Sequence, residues 1–444
     1  MTTDLHVAID AVLPETRAAL DALVRIPSVS ADPAHAGDVE ASAAFVADLL
    51  RDSGLPDVEI LRVPGGRPAV VGRRPAPPGA PTVLLYAHHD VQPTGPREAW
   101  DSDPFEPTVR GDRLYGRGTA DDKAGVALHV AALRAFGGEP PVGVSVFVEG
   151  EEEIGSPTLG AFLAEHRDRL ACDVIVLADT GNWAVGRPSL STSLRGLADC
   201  VVEVSTLDHA IHSGDSGPVP DAITALVRLL ATLHDDDGNV AVEGLLGEDT
   251  DGLDLDEDRL RAESGVLPEV ALIGSGTLTS RQWTRPAIAV LAIDAPRTDN
   301  VANVLTPTAR AKVSLRVAPG DDADRALDAL VAHLESRAPW GARVTVSRGA
   351  AGSPYRIDAQ GPVYDAARAA FEEAWGVAPI DIGVGGSIPF VAEFAAACPD
   401  AAILLTGVAD PDTRAHGANE SLHLDELARG CLAEALLLRN LAQG

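Results

Sequence analysis

Val142-Gly143-Val144-Ser145-Val146-Phe147-Val148 runs directly into Glu149-Gly150-Glu151-Glu152-Glu153-Ile154-Gly155-Ser156. A short, valine-dominated run of this kind reads as a strand buried on both faces, and such strands belong to parallel sheets covered by helices. The adjacent carboxylates of Glu152 and Glu153 then fall just past the strand's carboxyl end, where ligands collect in open α/β sheets. One carboxylate can hold a cation while its neighbour manages a proton, a division that metal-assisted hydrolysis needs.

The same arrangement recurs. Val83-Leu84-Leu85-Tyr86 leads to His88-His89-Asp90, and Val174-Ile175-Val176-Leu177 leads to Asp179. Helical spacing of apolar residues over 4–25, 38–50, 121–136 and 156–166 supplies the covering layers. After about residue 190 the character changes. Strands at 197–204, 288–293 and 311–317 alternate more strongly, and helices fall at 220–233 and 322–336. This predicts a smaller α+β unit with one sheet face exposed. From about 355 the helix–strand alternation returns, with a helix over 363–375, a strand over 401–405 and a helix over 424–441. His416 is needed with the earlier donors, so the last segment must rejoin the first domain. The expected boundaries are 1–189 and 354–444 for a catalytic α/β domain with a mixed, mostly parallel sheet, and 190–353 for the insertion.

With 444 residues, two domains are the natural expectation, and 45% hydrophobic content suits a folded protein. A formal net charge of -31 argues against nucleic acid or an anionic membrane as a partner. Asp4, Asp10 and Glu15 stand where a signal peptide needs a basic start and an apolar run, and no stretch reaches the ~20 apolar residues of a membrane span. Cys172, Cys200, Cys398 and Cys431 show no CxxC spacing and read as buried, reduced thiols of a cytoplasmic protein. The acidic stretch 235–258 reads as a solvated loop. Its Asp254-x-Asp256-x-Asp258 fails as a calcium loop, because Arg259 replaces the required glycine and Gly265 the twelfth-position glutamate.

Taken in order along the chain, these motifs resemble the M20 family of metallopeptidases, in particular the carnosinase-like dipeptidases. The resemblance runs from Ile26-Pro27-Ser28-Val29 through the metal motifs to Leu194-Arg195-Gly196, His212-Ser213-Gly214, Ser314-Leu315-Arg316, Gly385-Gly386-Ser387 and His416. It implies a zinc-peptidase-like catalytic domain interrupted by a lid and dimerisation domain. It also implies two divalent metal ions per subunit, held by His88, Asp121, Glu153, Asp179 and His416. His88 and Asp179 would share one ion and Glu153 and His416 the other, with Asp121 bridging. Two histidines and three carboxylates suit zinc, while manganese and cobalt accept similar sets. On spacing alone, Asp121 reads equally as a helix cap. Asp90 can accept the second N–H of the His88 imidazole, and His89 is expected on the wall of the site.

The resemblance assigns Glu152 as the general base for a metal-bridging water. It implies that His212 reaches the active site of a second subunit, to steady a developing oxyanion in a homodimer. Asn303 and Arg316 fall where the family binds substrate, with Arg316 matched to a C-terminal carboxylate, and Gly385, Gly386 and Ser387 would present backbone N–H groups. The expected reaction is cleavage of the amide bond of a dipeptide or similarly small substrate. One departure stands out. Val384 occupies the position where carnosinase-like relatives carry a glutamate for the substrate's free amine. An N-acyl- or N-carbamoyl-amino-acid substrate is therefore the alternative, and a non-catalytic peptide-binding protein is the alternative of another class.

Overall fold

The computed structural model describes residues 4–250, 253–299, 301–386 and 389–443. The chain divides into two compact units, one made of residues 1–192, 357–382 and 393–444 and the other of residues 193–356 and 383–392.

At the centre of the first unit, the strands Gly143–Glu149, Thr82–His88, Val174–Leu177 and Ala402–Leu405 lie side by side and parallel. Ala69–Arg74 and Asp57–Leu61 extend one edge antiparallel, and Ser189–Leu194 joins the other. The fold class expected from the apolar strands is the one observed. Val83, Leu84, Leu85 and Tyr86 are wholly buried, as a strand covered on both faces requires. Helix Leu5–Val24 packs on helix Lys123–Ala135, which packs on Leu424–Leu441. An aromatic cluster stiffens the sheet: the Phe147 ring lies 5.6 Å from Tyr86, 6.0 Å from Phe394 and 5.0 Å from Phe162.

Two local readings need correction. The cap of the Lys123–Ala135 helix is Asp122, whose carboxylate accepts from the Gly125 N–H at 3.2 Å. Asp121 is therefore not the cap. Among the cysteines, Cys200 and Cys431 are buried, but Cys172 and Cys398 are partly exposed. Their thiols lie close enough to shift each other's ionisation. Parallel pairing of Val174–Leu177 with Ala402–Leu405 brings these sequence-distant residues together, a proximity that residue spacing does not encode.

The second unit holds an antiparallel sheet in the order Ala287–Asp294, Thr308–Val317, Gly196–Ser205, Arg343–Gly352. Helices Ala222–Leu230 and Ala323–Ser336 bury Leu226, Leu229, Leu327 and Leu330 with Val202, Val204, Val313 and Leu315 from the sheet. Along Thr308–Val317, Ala309, Ala311 and Val313 are buried while Arg310 and Lys312 are exposed, which is the alternation of a sheet covered on one face. Asp256 caps the helix Glu257–Ser264 and Asp254 accepts from the Thr279 N–H, so two carboxylates of the rejected calcium motif serve as backbone acceptors.

Candidate metal centre

Strand Thr82–His88 ends on His88, whose ring is fully buried. Its Nε2 lies 3.1 Å from Asp121 Oδ1 and 3.8 Å from Asp179 Oδ1. His416 Nε2 lies 3.0 Å from Asp121 Oδ2 and 3.3 Å from Glu153 Oε2. The two oxygens of Asp121 thus face two different imidazoles, one accompanied by Asp179 and the other by Glu153. All five expected metal ligands converge, although they are scattered over more than three hundred residues of chain. Glu152 Oε2 is 3.9 Å from His88 Nε2, with its side chain part-buried at the rim of the cluster.

The backbone that carries the paired glutamates is tightly specified. A side chain at Gly150 would meet the Pro68 carbonyl at 2.4 Å and the His89 ring at 2.7 Å, so only glycine permits the turn. Asp90 is wholly buried, and its two carboxylate oxygens accept from the backbone N–H groups of Glu152 (3.2 Å) and Glu153 (3.1 Å). The partnership with His88 is looser than expected: His88 Nδ1 is 3.1 Å from the Asp90 carbonyl and 3.4 Å from its carboxylate. His89 is not a wall of the site. Its Nε2 bonds the Pro68 carbonyl at 2.9 Å beneath the Gly150 turn, and burial lowers its pKa to about 4.

A second support was not anticipated. Glu420, fully buried, accepts from the N–H groups of Gly118 (3.0 Å), Ala120 (3.1 Å) and Asp121 (3.3 Å), and from Arg117 at 2.6 Å. Arg117 in turn donates to the carbonyl of His416 at 3.0 Å. One ion pair therefore positions both Asp121 and His416. The available signal was an arginine between two glycines in Gly116-Arg117-Gly118, together with the glutamate closing the His416 motif. His416 itself has φ 62°, a left-handed conformation that a histidine adopts at a cost.

Charge explains what the cluster can hold. Asp90, Asp121, Asp122, Glu152, Glu153 and Asp179 crowd two imidazoles. Burial pushes Glu152 up to about 9 and Asp179 to about 6, helped in each case by neighbouring carboxylates. The carboxylates of Asp121 and Glu153 raise His416 to about 10. Glu153 Oε2 is buried, 3.3 Å from the His416 ring but without a well-formed hydrogen bond to any described residue. A field that holds protons this firmly, with such a carboxylate oxygen inside it, fits divalent cations. His88, Asp121 and Glu153 form one group of donor atoms close enough to share an ion, and His88, Asp122 and Asp179 another. Asp122 in the second group is an addition to the five expected ligands.

The remaining expected residues lie in the second unit. His212 is exposed on the two-residue strand Ile211–His212, which pairs with Val304–Leu305. Its Nδ1 accepts from the Gly214 N–H at 3.0 Å, and Asn303 offers its carbonyl to Ser213 at 2.9 Å. Arg316, on Thr308–Val317, stands near Arg195, whose guanidinium pKa falls to about 10 through burial and this like charge. Arg195 donates to the Gly385 carbonyl at 3.0 Å, and a side chain at Gly385 would meet Arg195 at 3.1 Å. Gly386 has open space, and Ser387 lies outside the described residues. The structure thus groups His212 with Asn303 and Arg316 with Gly385. Arg195 was quoted only as part of a motif, and its anchoring role was missed.

Residues 84–440 match the model of peptidase family M20/M25/M40. The cysteinylglycine-S-conjugate dipeptidase of Corynebacterium striatum is 35% identical over 417 residues, covering 91% of each chain. A Cys-Gly metallodipeptidase of Candida albicans is 28% identical, over 93% of this chain and 91% of its own. The crystal structure of human carnosine dipeptidase 1 superposes with a TM-score of 0.83 at 26% identity, covering 99% of this chain and 98% of its own.

Proposed function

The chain belongs to peptidase family M20/M25/M40, and on that premise we propose that it is a two-metal dipeptidase acting on unblocked dipeptides of the Cys-Gly type. The observation that carries this reading is the carboxylate of Asp121, with one oxygen toward His88 and the other toward His416. His88 and Asp179 would hold one divalent ion and Glu153 and His416 the other, with Asp121 common to both; zinc is the proposed metal and manganese or cobalt the alternatives. Such ions, when bound, supply Lewis acidity to a water and to the amide carbonyl.

Glu152 is the proton carrier. Its carboxylate sits at the cluster rim, and a surrounding that raises its pKa favours taking a proton from water and passing it to the leaving nitrogen. Asp90 fixes where that carboxylate starts by holding the Glu152 backbone. His212 accepts at Nδ1 from Gly214, which leaves the neutral ring's Nε2–H free to donate to a developing oxyanion. We assign this donation to the site of a partner subunit in a cytoplasmic homodimer. The strand Ala287–Asp294 supports such a dimer: it is a sheet edge whose Val290, Leu291 and Ile293 are exposed. Arg316 would take the substrate's C-terminal carboxylate.

Val384 favours a second reading, an N-acyl- or N-carbamoyl-amino-acid amidohydrolase, because no carboxylate stands there for a free amine. Comparing hydrolysis of Cys-Gly with its N-acetyl derivative separates the two. The proposal as a whole is tested by Glu152→Gln. The variant should keep its fold and metal content while kcat on Cys-Gly falls by ~10²–10⁴; near-normal turnover would refute the assignment.

A further inference from the structure

Two thiols meet at the end of the central sheet opposite the metal ligands. Cys172 precedes strand Val174–Leu177, whose far end leads to Asp179, and Cys398 precedes strand Ala402–Leu405. Ala402 pairs with Val174, and the Ala402 N–H donates to the Asp173 carbonyl at 3.1 Å, so the strand register brings the two cysteines together. Their thiols lie within range of each other's charge and both are partly exposed, unlike Cys200 and Cys431. Beside them, a surface groove of about 280 Å³ is lined by Leu163, Arg167, Glu393 and Ala397, the residue before Cys398.

We propose that Cys172 and Cys398 form a redox-active dithiol that a peroxide converts into an intramolecular disulfide. Cys398 is the attacking sulfur. Cys172 lies beside it and the Arg167 charge is within reach. Together these hold the Cys398 thiol down to about 7, against its partial burial. The Cys398 thiolate attacks one peroxide oxygen, the O–O bond breaks, and the departing hydroxide is protonated to water, leaving a sulfenic acid. Cys172 then gives up its proton and attacks the Cys398 sulfur. The S–O bond breaks, the S–S bond forms, and a second water leaves. The thiol pair loses two electrons and the peroxide gains them. Thiols that the strand register already brings together need little backbone movement to reach bonding distance.

The test uses the metal-loaded enzyme treated with hydrogen peroxide, with thiols counted after denaturation and peptides mapped by mass spectrometry. Met1 is the sole methionine, so added oxygen within the body of the chain reports on cysteine. Two of the four thiols should disappear and return with dithiothreitol, and a peptide linking Cys172 to Cys398 should appear. Cys172→Ser should abolish the linked peptide and leave a sulfenic acid on Cys398 that dimedone traps. Four free thiols after treatment, or oxidation of Cys398 beyond sulfenic acid with no linked peptide, would overturn the proposal. Because neither cysteine touches the metal ligands, the result is independent of the dipeptidase reading.

Discussion

Glu149 ends the strand that carries the paired glutamates; it is almost fully buried and receives the Tyr86 hydroxyl at 2.9 Å. Burial pushes its pKa up to about 8. A carboxyl whose pKa is higher folded than unfolded favours the folded state at low pH. That advantage is complete below its unfolded value near 4.3 and is lost as pH rises through about 8. Glu149→Gln removes the ionisation, so in chelator-treated protein its melting midpoint should exceed the wild type's at pH 8 and approach it at pH 5. A constant gap would show that Glu149 does not titrate in this range. Glu420→Ala breaks the buried pair with Arg117 and should cost about 3–5 kcal/mol in denaturant unfolding, with metal content falling too. At this scale the sequence exposed the donors but not their supports. His88, Asp121, Glu153, Asp179 and His416 were legible because strand ends and motif order point to them. The hold of Asp90 on the Glu152 and Glu153 N–H groups, and that of Glu420 on Asp121, were not, because a carboxylate's backbone partners depend on how distant loops pack.

Elements were legible where they bury an apolar face. Helix Leu424–Leu441 and the strands around Tyr86 and Val176 carry periodicities that burial enforces. Arg343–Gly352 escaped notice because its apolar alternation is confined to Val344 and Val346, which are only partly buried, and the rest of the strand up to Ala351 is exposed. Helix Glu257–Ser264 carries one large apolar residue, the partly buried Leu260, and buries nothing fully, and its Asp256 cap was the one local cue. The edge strand Ala287–Asp294 bears directly on assembly, since its register shifts at Leu291 and that side chain is exposed. Leu291→Asp should move the mass measured by light scattering from dimer to monomer and lower turnover with it. His212→Ala should remain a dimer yet lose ~10²–10³ in kcat. If the Leu291→Asp monomer keeps full activity, the assignment of His212 to a partner's site fails.

Across the molecule, the excess of acid over base reaches its sharpest form around the proposed metal ligands. His416, raised to about 10, carries a proton at pH 7 in the metal-free protein, and Asp121 and Asp179 draw the His88 pKa up against its burial. A divalent ion that binds these nitrogens must displace their protons. Titration calorimetry at pH 7 in buffers of different ionisation enthalpy should therefore show net proton release, and affinity should rise with pH toward about 10. Buffer-independent heats would contradict the protonated apo site. The order of the ligands along the chain has a further consequence. His88, Asp121, Glu153 and Asp179 all precede the second unit, whereas His416 follows it. On the ribosome, four donors thus emerge long before the fifth, and segments fold as they appear. A nascent polypeptide would expose the His88 and Asp179 pair well before His416, so the proposed two-metal centre can close only after the whole second unit has been made.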